Sequence, residues 1–225
     1  MEAREIKRIF YRDGYRLANE HLDQGINAAN LKRAIGLLYQ AVDDLLESFI
    51  RRSEAEGIPT ACKEGCSWCC HKEVFAVTHE FFYIQDYLRH ELSSERRERI
   101  LQGAREKVML TLDRSVEERQ KVRSSCPFLD GRSCLVYEAR PMACRIYLST
   151  SEASCKRDHD RPGNHNIIPE ILEFPLLAGR MLNEGFVACL KQLGLQSSEL
   201  PVEQGYSSME TMGQTMEAWI DHSRT

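Results

Sequence analysis

Four cysteines lie close together in the first third of the chain, in the spacing C-x3-C-x2-C-C between residues 62 and 70. Four more follow at wider intervals, in the spacing C-x7-C-x9-C-x10-C between residues 126 and 155. The eight are Cys62, Cys66, Cys69, Cys70, Cys126, Cys134, Cys144 and Cys155. The ninth cysteine, Cys189, stands apart in the apolar run Phe186–Leu190, where we expect it to be a buried residue of a helix.

The rest of the chain indicates the cellular compartment in which these thiols are found. The N-terminus, residues 1–10, is charged and has no apolar run, and no stretch reaches the roughly 18 apolar residues of a membrane span. We therefore expect a cytoplasmic protein with no membrane span. The formal net charge of -4 is unlike that of a general nucleic-acid binder, and no feature of the sequence identifies a protein partner.

In a reducing compartment a dense cysteine pattern indicates metal binding or redox activity rather than structural disulfides. Zinc prefers four soft ligands in a tetrahedron, and iron–sulfur clusters are commonly held by four thiolates. Eight thiols could form two four-thiolate sites, one site with spare thiols, or neighbouring sites that share ligands. The adjacent Cys69 and Cys70 point in different directions, so each could face its own ion, or one could be no ligand at all.

Other residues could support such a site. Thiolates around a metal carry negative charge, which requires nearby hydrogen-bond donors or cations. The candidates are Lys63, Lys72, Arg132, Arg140, Arg145, Lys156 and Arg157. His71 could be a ligand, whereas His79 is expected at the surface or as a helix cap, and Asp43 as a solvated residue of a helix.

The two cysteine groups and their flanks resemble the YkgJ-type cysteine-cluster family, whose members are described as zinc- or iron-chelating. The similarity extends over about residues 61–157. It rests on Cys62-Lys-Glu-Gly-Cys66-Ser-Trp-Cys69-Cys70, on Cys126-Pro-Phe-Leu129, and on Gly131-Arg-Ser-Cys134-Leu-Val-Tyr137-Glu-Ala-Arg140-Pro-Met-Ala-Cys144-Arg145. The resemblance implies bound zinc or iron, held by all eight clustered cysteines.

Two other functions stay open. Related cysteine clusters occur in flagellin lysine N-methylase, and Cys62-x3-Cys66-x2-Cys69 matches the spacing of radical S-adenosylmethionine enzymes. The protein could therefore be a metal- or iron–sulfur-dependent group-transfer enzyme, such as a protein methylase. Alternatively, Cys66-x2-Cys69 could be the pair of a thiol redox or metal sensor. The sequence does not decide whether the protein is an enzyme.

Hydrophobic periodicity predicts a mainly α protein in which helices flank an irregular cysteine-rich core. We expect a helical extension at 1–57, the metal-binding region at 58–166, and further helices at 167–225 that pack on the same core. More detailed expectations are helix breaks near Gly14 and Gly25, a short strand at 74–77, an N-cap at Thr78, irregular structure through 126–166 and a loop at 196–208.

Overall fold

The computed structural model describes residues 3–223, and within that range the protein is mainly α-helical, as the sequence predicts. Ten helices and four short strands occur there, with one 3-10 turn, Trp68–His71. In chain order they are α1 (Ala3–Leu22), α2 (Ala28–Ala55), β1 (Phe75–Val77), α3 (Thr78–Glu91), α4 (Ser94–Thr111), α5 (Val116–Gln120), β2 (Leu129–Asp130), β3 (Ser133–Cys134), α6 (Met142–Arg145), α7 (Glu152–Asp160), α8 (Glu173–Gln192), β4 (Glu199–Pro201), α9 (Val202–Met212) and α10 (Met216–Ser223).

Helices α1, α2 and α8 pack against one another and form the helical frame of the molecule. The turn between α1 and α2 falls at Gly25, as predicted, where φ is 132° and favours glycine. Asn27 then caps α2 by accepting a hydrogen bond from the N–H of Asn30 at 2.9 Å.

The helix break predicted at Gly14 is wrong, because α1 continues through it. A Cβ atom at Gly14 would lie 1.9 Å from the carbonyl oxygen of Leu182 on α8. A Cβ atom at Gly185 would likewise lie 1.9 Å from the carbonyl oxygen of Tyr11 on α1. Both glycines therefore allow the two helix backbones to approach closely, and Cys189 on the same helix is fully buried, as expected.

Helices α3, α4 and α9 pack together beside this frame, and β1 pairs with β4 in an antiparallel ribbon. The loop predicted for 196–208 is wrong, because it contains β4 and most of α9. The partner of β4 is far away in the chain, as the N–H of Val202 shows by donating to the carbonyl of Val74 at 2.8 Å. Thr78 is the first residue of α3 rather than its cap, which is Val77.

Residues 126–166, which carry the second cysteine group, are built mostly of short elements, as expected. β2 and β3 form a small antiparallel hairpin, and α6 has a single turn. The exception is α7, a helix of nine residues within the segment predicted to be irregular. Its signal is local, since Ser151 accepts a hydrogen bond from the N–H of Ser154 at 3.2 Å and Glu152 lies in the first turn. The prediction missed this helix because the nearby Pro162-Gly163 indicated irregular structure.

One cluster of buried apolar side chains joins most of these elements, from Ala18 on α1 to Ile220 on α10. Phe128, Val136 and Met142 bring the cysteine-rich segment into the same cluster. The boundaries predicted at 57/58 and 166/167 stay a prediction. None of the helices within residues 3–223 combines the length and the apolar character that a bilayer crossing requires.

Candidate metal centre

The first four cysteines lie in a tight loop that follows α2. Gly65 provides a φ of 79°, in the left-handed region that favours glycine. The loop then closes into the 3-10 turn Trp68–His71, in which the N–H of Cys70 donates to the carbonyl of Ser67 at 3.0 Å. Cys69 and Cys70 are consecutive residues of this turn, so their side chains leave it about 120° apart.

The start of this loop is fastened to the segment that leads into α7. The N–H of Ser149 donates to Cys62 Sγ at 3.2 Å, and the N–H of Ala61 donates to the Ser149 carbonyl at 2.8 Å. Ser151 then caps α7, which carries Cys155 and packs against the 3-10 turn. Two cysteines separated by 93 positions in the chain are thereby brought to the same region.

The remaining cysteines reach the loop from its other side. The N–H of Cys126 donates to the carbonyl of Cys70 at 2.7 Å, a direct backbone link between the two cysteine groups. The hairpin of β2 and β3 pairs Cys134 with Leu129. Cys144 lies in the single turn of α6.

The pKa values of the thiols show which of them are neighbours. Burial raises the pKa of Cys62, and three nearby thiolates raise it further, namely Cys69, Cys66 and Cys155. Burial also raises the pKa of Cys66, where Cys69, Glu152 and Cys155 add to the effect. Because such charge effects weaken with distance, these four cysteines lie within electrostatic range of one another.

The same reasoning groups the other four. Burial raises the pKa of Cys126 to about 12, and the charge of Cys134 acts in the same direction. Cys144 has exposed surface, yet desolvation of its thiol raises its pKa, and the charges of Cys126, Cys69 and Cys134 raise it further. For Cys70, a hydrogen bond with Cys69 is the largest cause of a raised pKa, followed by burial and by the charges of neighbouring thiolates that include Cys126 and Cys144.

Cys69 stands between the two groups. A hydrogen bond from the Cys70 thiol lowers the pKa of Cys69, and the ammonium of Lys72 lowers it as well. Its charge is among those that raise the pKa of Cys62, on one side, and of Cys144, on the other. Cys69 is therefore the thiol that ionises most readily at the point where the two groups meet.

The donor set fits zinc or iron chemically, since each group contains four thiols and four thiolates suit both metals. The geometry is not that of a closed coordination sphere. Within residues 3–223, no three His, Cys, Asp or Glu side chains are gathered so that they could hold a metal ion. Side-chain rotation would have to bring the thiols of a group together.

Two of the seven predicted supporting cations act on thiols. Lys72 lowers the pKa of Cys69, and Arg140 lowers that of Cys134, although burial keeps the latter raised overall. Lys72 is itself paired with Asp158 at 2.9 Å. The contacts of the other five lead to carboxylates or backbone carbonyls; these are Lys63, Arg132, Arg145, Lys156 and Arg157.

Arg145 holds the cysteine segment to the helical frame instead. Only 1% of it is exposed, and its guanidinium donates to Asp43 on α2 and to the carbonyl of Glu138, the latter at 2.6 Å. It also lies over the ring of Tyr39, 4.2 Å from the centroid, and the Tyr39 hydroxyl donates to Glu80 at 3.0 Å. Asp43 is thus more than the solvated helix residue that we expected.

Two further buried groups escaped the sequence analysis. Lys107 on α4 pairs with Glu203 on α9 at 3.5 Å, with side chains only 5% and 2% exposed, and the charge of Lys107 lowers the pKa of Cys126. Its position offered a signal, because Lys107 follows Ile100 and Ala104 at helical spacing on the buried face of α4.

His79 is the second of these groups, and its predicted surface position is wrong. The side chain is completely buried and its ring lies against Phe186, with centroids 5.2 Å apart. Burial lowers its pKa to about 3. His71, considered above as a ligand, has Nδ1 3.0 Å from the Ser67 carbonyl and its ring 5.0 Å from that of His159; its role as a ligand stays a prediction.

Fold and site together define a mainly α protein with a thiol-lined centre between short loops. Residues 61–164 match the family model CxxCxxCC, described as "Putative zinc- or iron-chelating domain". The match covers slightly less than half of the chain, and it confirms the resemblance seen in the cysteine motifs. No curated protein and no solved structure matches the chain.

Proposed function

We propose that this protein binds zinc or iron through the eight clustered cysteines, with an iron–sulfur cluster as one form that the iron can take. The observation that carries this proposal is the approach of thiols from separate segments within the family domain. The backbone bond from Cys126 to Cys70 and the bond from Ser149 to Cys62 bring these segments together. A bound metal would add strong cross-links to the hydrogen bonds that already connect these loops.

The residues of the chain have definite parts in this binding. Thiols bind metal as thiolates, so protons must leave when the metal enters. The raised pKa values of Cys62 and Cys126 mean that these thiols are protonated at neutral pH before binding. Cys69, with its lowered pKa, would be the first to offer a thiolate. Lys72, beside Cys69, and Lys107, beside Cys126, offset the negative charge that results.

The observations favour metal binding over the two other functions considered above. Radical S-adenosylmethionine enzymes and thiol redox proteins of the common type place their cysteines beside a parallel sheet. The sheets formed within residues 3–223 are two antiparallel ribbons of two strands each. A metal-dependent transfer reaction would also need a substrate pocket beside the thiols. The open groove of about 540 Å³ beside α1 and α2 has no cysteine in its lining, and the cavity lined by Cys69 and Cys155 is too narrow to admit a substrate.

Metal analysis of the freshly purified protein, together with its absorption spectrum, tests the proposal. We expect at least one equivalent of zinc or iron per chain, with a colourless solution for zinc and a brown one for an iron–sulfur cluster. A content below about half an equivalent of both metals, from cells grown with both, would contradict metal binding as the function.

A matched pair of variants locates the metal. Cys66→Ser should lose at least half of the bound metal and become less soluble, because folding of the loop and binding are coupled. Cys189→Ser makes the same chemical change at a buried helix position, and its metal content should equal that of the unchanged protein. Equal metal loss in both variants would show that the clustered cysteines are not the ligands.

A further inference from the structure

We infer that the eight cysteines form two separate four-thiolate centres, and that the boundary between them passes between the adjacent Cys69 and Cys70. The first centre consists of Cys62, Cys66, Cys69 and Cys155, and the second of Cys70, Cys126, Cys134 and Cys144. This inference rests on the proposed metal binding and adds to it the number of centres and the ligands of each.

The first set is assembled by α7. Cys62 is bonded to Ser149, two residues before the cap of α7, and Cys155 lies in the first half of that helix. Helix α7 packs against the 3-10 turn that carries Cys69. Cys69 and Cys155 line the same narrow cavity together with Tyr147. Cys69 of the first loop and Cys155 of α7 therefore face a common space.

The second set is assembled on the other side of the 3-10 turn. The short bond between the Cys126 N–H and the Cys70 carbonyl fixes the start of the second cysteine segment against the turn. From there the chain forms the β2–β3 hairpin, whose pairing is extended by the N–H of Leu135 donating to the Phe128 carbonyl at 2.8 Å. This hairpin delivers Cys134, and α6 delivers Cys144 from the buried cluster that contains Met142.

Cys69 precedes Cys70 directly in the turn, but the cavity that it shares with Cys155 assigns it to the first set. The doubled cysteine thus has a physical reason, because consecutive residues of a 3-10 turn can serve ions on two sides of it.

Each centre also has its own buried or half-buried ion pair. Beside the first set, Lys72 pairs with Asp158 at 2.9 Å, and Asp158 lines the same cavity as Cys69. Beside the second set, Lys107 pairs with Glu203 at 3.5 Å and acts on Cys126. Two separate cations are what two separate groups of thiolates require.

Single substitutions in each set test the division. Cys155→Ser should remove about half of the zinc or iron found in the unchanged protein and leave the other half, and Cys126→Ser should do the same. The double variant Cys155→Ser/Cys126→Ser should lose nearly all of it, while Cys62→Ser/Cys155→Ser, with both changes in one set, should still keep half. If the second double variant loses all metal, or the first keeps half, the division is wrong.

The adjacent pair gives the sharpest comparison. Cys69→Ser and Cys70→Ser should each lose half of the metal. The double variant Cys69→Ser/Cys155→Ser, with both changes in one set, should still keep half. The double variant Cys70→Ser/Cys155→Ser, with one change in each set, should lose nearly all of it. If Cys69→Ser alone removes all metal while Cys70→Ser removes half, Cys69 bridges the two ions and the centres are not separate.

A measurement on the unchanged chain keeps the test independent of how the variants fold. Metal-free protein is given Co²⁺ in steps, and the cysteines that resist alkylation are identified at each step. We expect protection to appear in two groups of four that match the two sets, with Cys189 outside both. Protection of a different four, or of all eight together, overturns the division but leaves metal binding in place. No Co²⁺-dependent protection, together with no zinc or iron in the purified protein, would instead overturn the proposed function.

Discussion

The helical frame and the cysteine segment are stabilised in different ways. The frame is held by burial: Gly14 and Gly185 let α1 and α8 touch, and fully buried side chains such as Ile35 and Phe186 fill the space beside them. The cysteine segment consists of turns and very short elements, and most of its eight thiols are only partly buried. This contrast indicates that the frame can fold by apolar packing alone, whereas the segment needs bound metal for its stability.

The largest expected effect is that of metal removal. Structural zinc contributes roughly 10–16 kcal/mol of apparent binding free energy, which is as large as the whole stability of a typical domain. Treatment with a strong chelator should therefore open the cysteine loops, residues 61–72 and 126–160, while α1, α2 and α8 stay folded. Amide hydrogen exchange measures this directly, as faster exchange across the cysteine loops and unchanged protection in the frame. Equal protection of both regions after complete metal removal would abolish the contrast.

The next effect concerns the frame. Gly185→Ala places a methyl group 1.9 Å from the Tyr11 carbonyl oxygen and must push α1 away from α8. We expect a loss of about 2–3 kcal/mol in the free energy of unfolding, measured by urea denaturation, with no change in the metal content of the folded protein.

Gly103→Ala is the matched control, because it adds the same methyl group on α4 with no atom within 4 Å. It should stabilise the protein by about 0.5–1 kcal/mol through helix propensity. If both variants shift stability in the same direction, close packing of α1 and α8 is not what Gly185 provides.

The contrast also explains what could be predicted from the sequence. α2 was predicted almost in full because its apolar positions recur at the period of a helix, a local signal. The cysteines were recognised as one set for a similar reason, because their spacing can be read directly from the sequence. Hydrophobic periodicity gave no sign of β4, whose hydrogen bonds come from β1, more than a hundred residues earlier.

The division of the thiols and the support around them depend on tertiary contacts of the same long-range kind. No sequence spacing brings Arg145 to Asp43, which lies 102 positions away. The bond from Cys126 to Cys70 likewise forms only when two distant loops meet. The adjacent Cys69 and Cys70 made two ions conceivable, but the sequence could not divide the eight cysteines between them. The proposed division depends on the positions of α7 and the β2–β3 hairpin.

Arg145 joins the two regions, so its replacement should weaken the junction between them. Arg145→Met leaves Asp43 and the Glu138 carbonyl without the cation and removes the stack on Tyr39. We expect a loss of about 3 kcal/mol in the free energy of unfolding, and Arg145→Lys should recover little because an ammonium cannot form the same fork.

Arg180→Met serves as the comparison for Arg145→Met. Arg180 pairs with Glu184 on the surface of α8, with side chains 75% and 47% exposed, so its loss should cost no more than about 0.5 kcal/mol. Similar costs for the two methionine variants would mean that Arg145 does not join the regions.

The smallest of these effects appears only when the pH is lowered, and it concerns His79, which lies where α3 packs against Phe186 of α8. Burial lowers the pKa of His79 to about 3, whereas its ordinary value is 6.5. A histidine with a depressed pKa in the folded state stabilises the protein above pH 6.5, and this stability is lost as the pH falls, because the unfolded chain takes up the proton first. Between pH 7 and pH 5 the loss should be about 2 kcal/mol.

His79→Leu and His79→Gln should both flatten the pH dependence of the unfolding free energy by that amount, although their stabilities at pH 7 will differ. Thiolate protonation and metal release affect all three proteins alike, so they cancel in the comparison at each pH. Parallel pH profiles for the unchanged protein and both variants would mean that His79 is not buried as a neutral group, and that α3 packs less tightly on the frame than the structure shows.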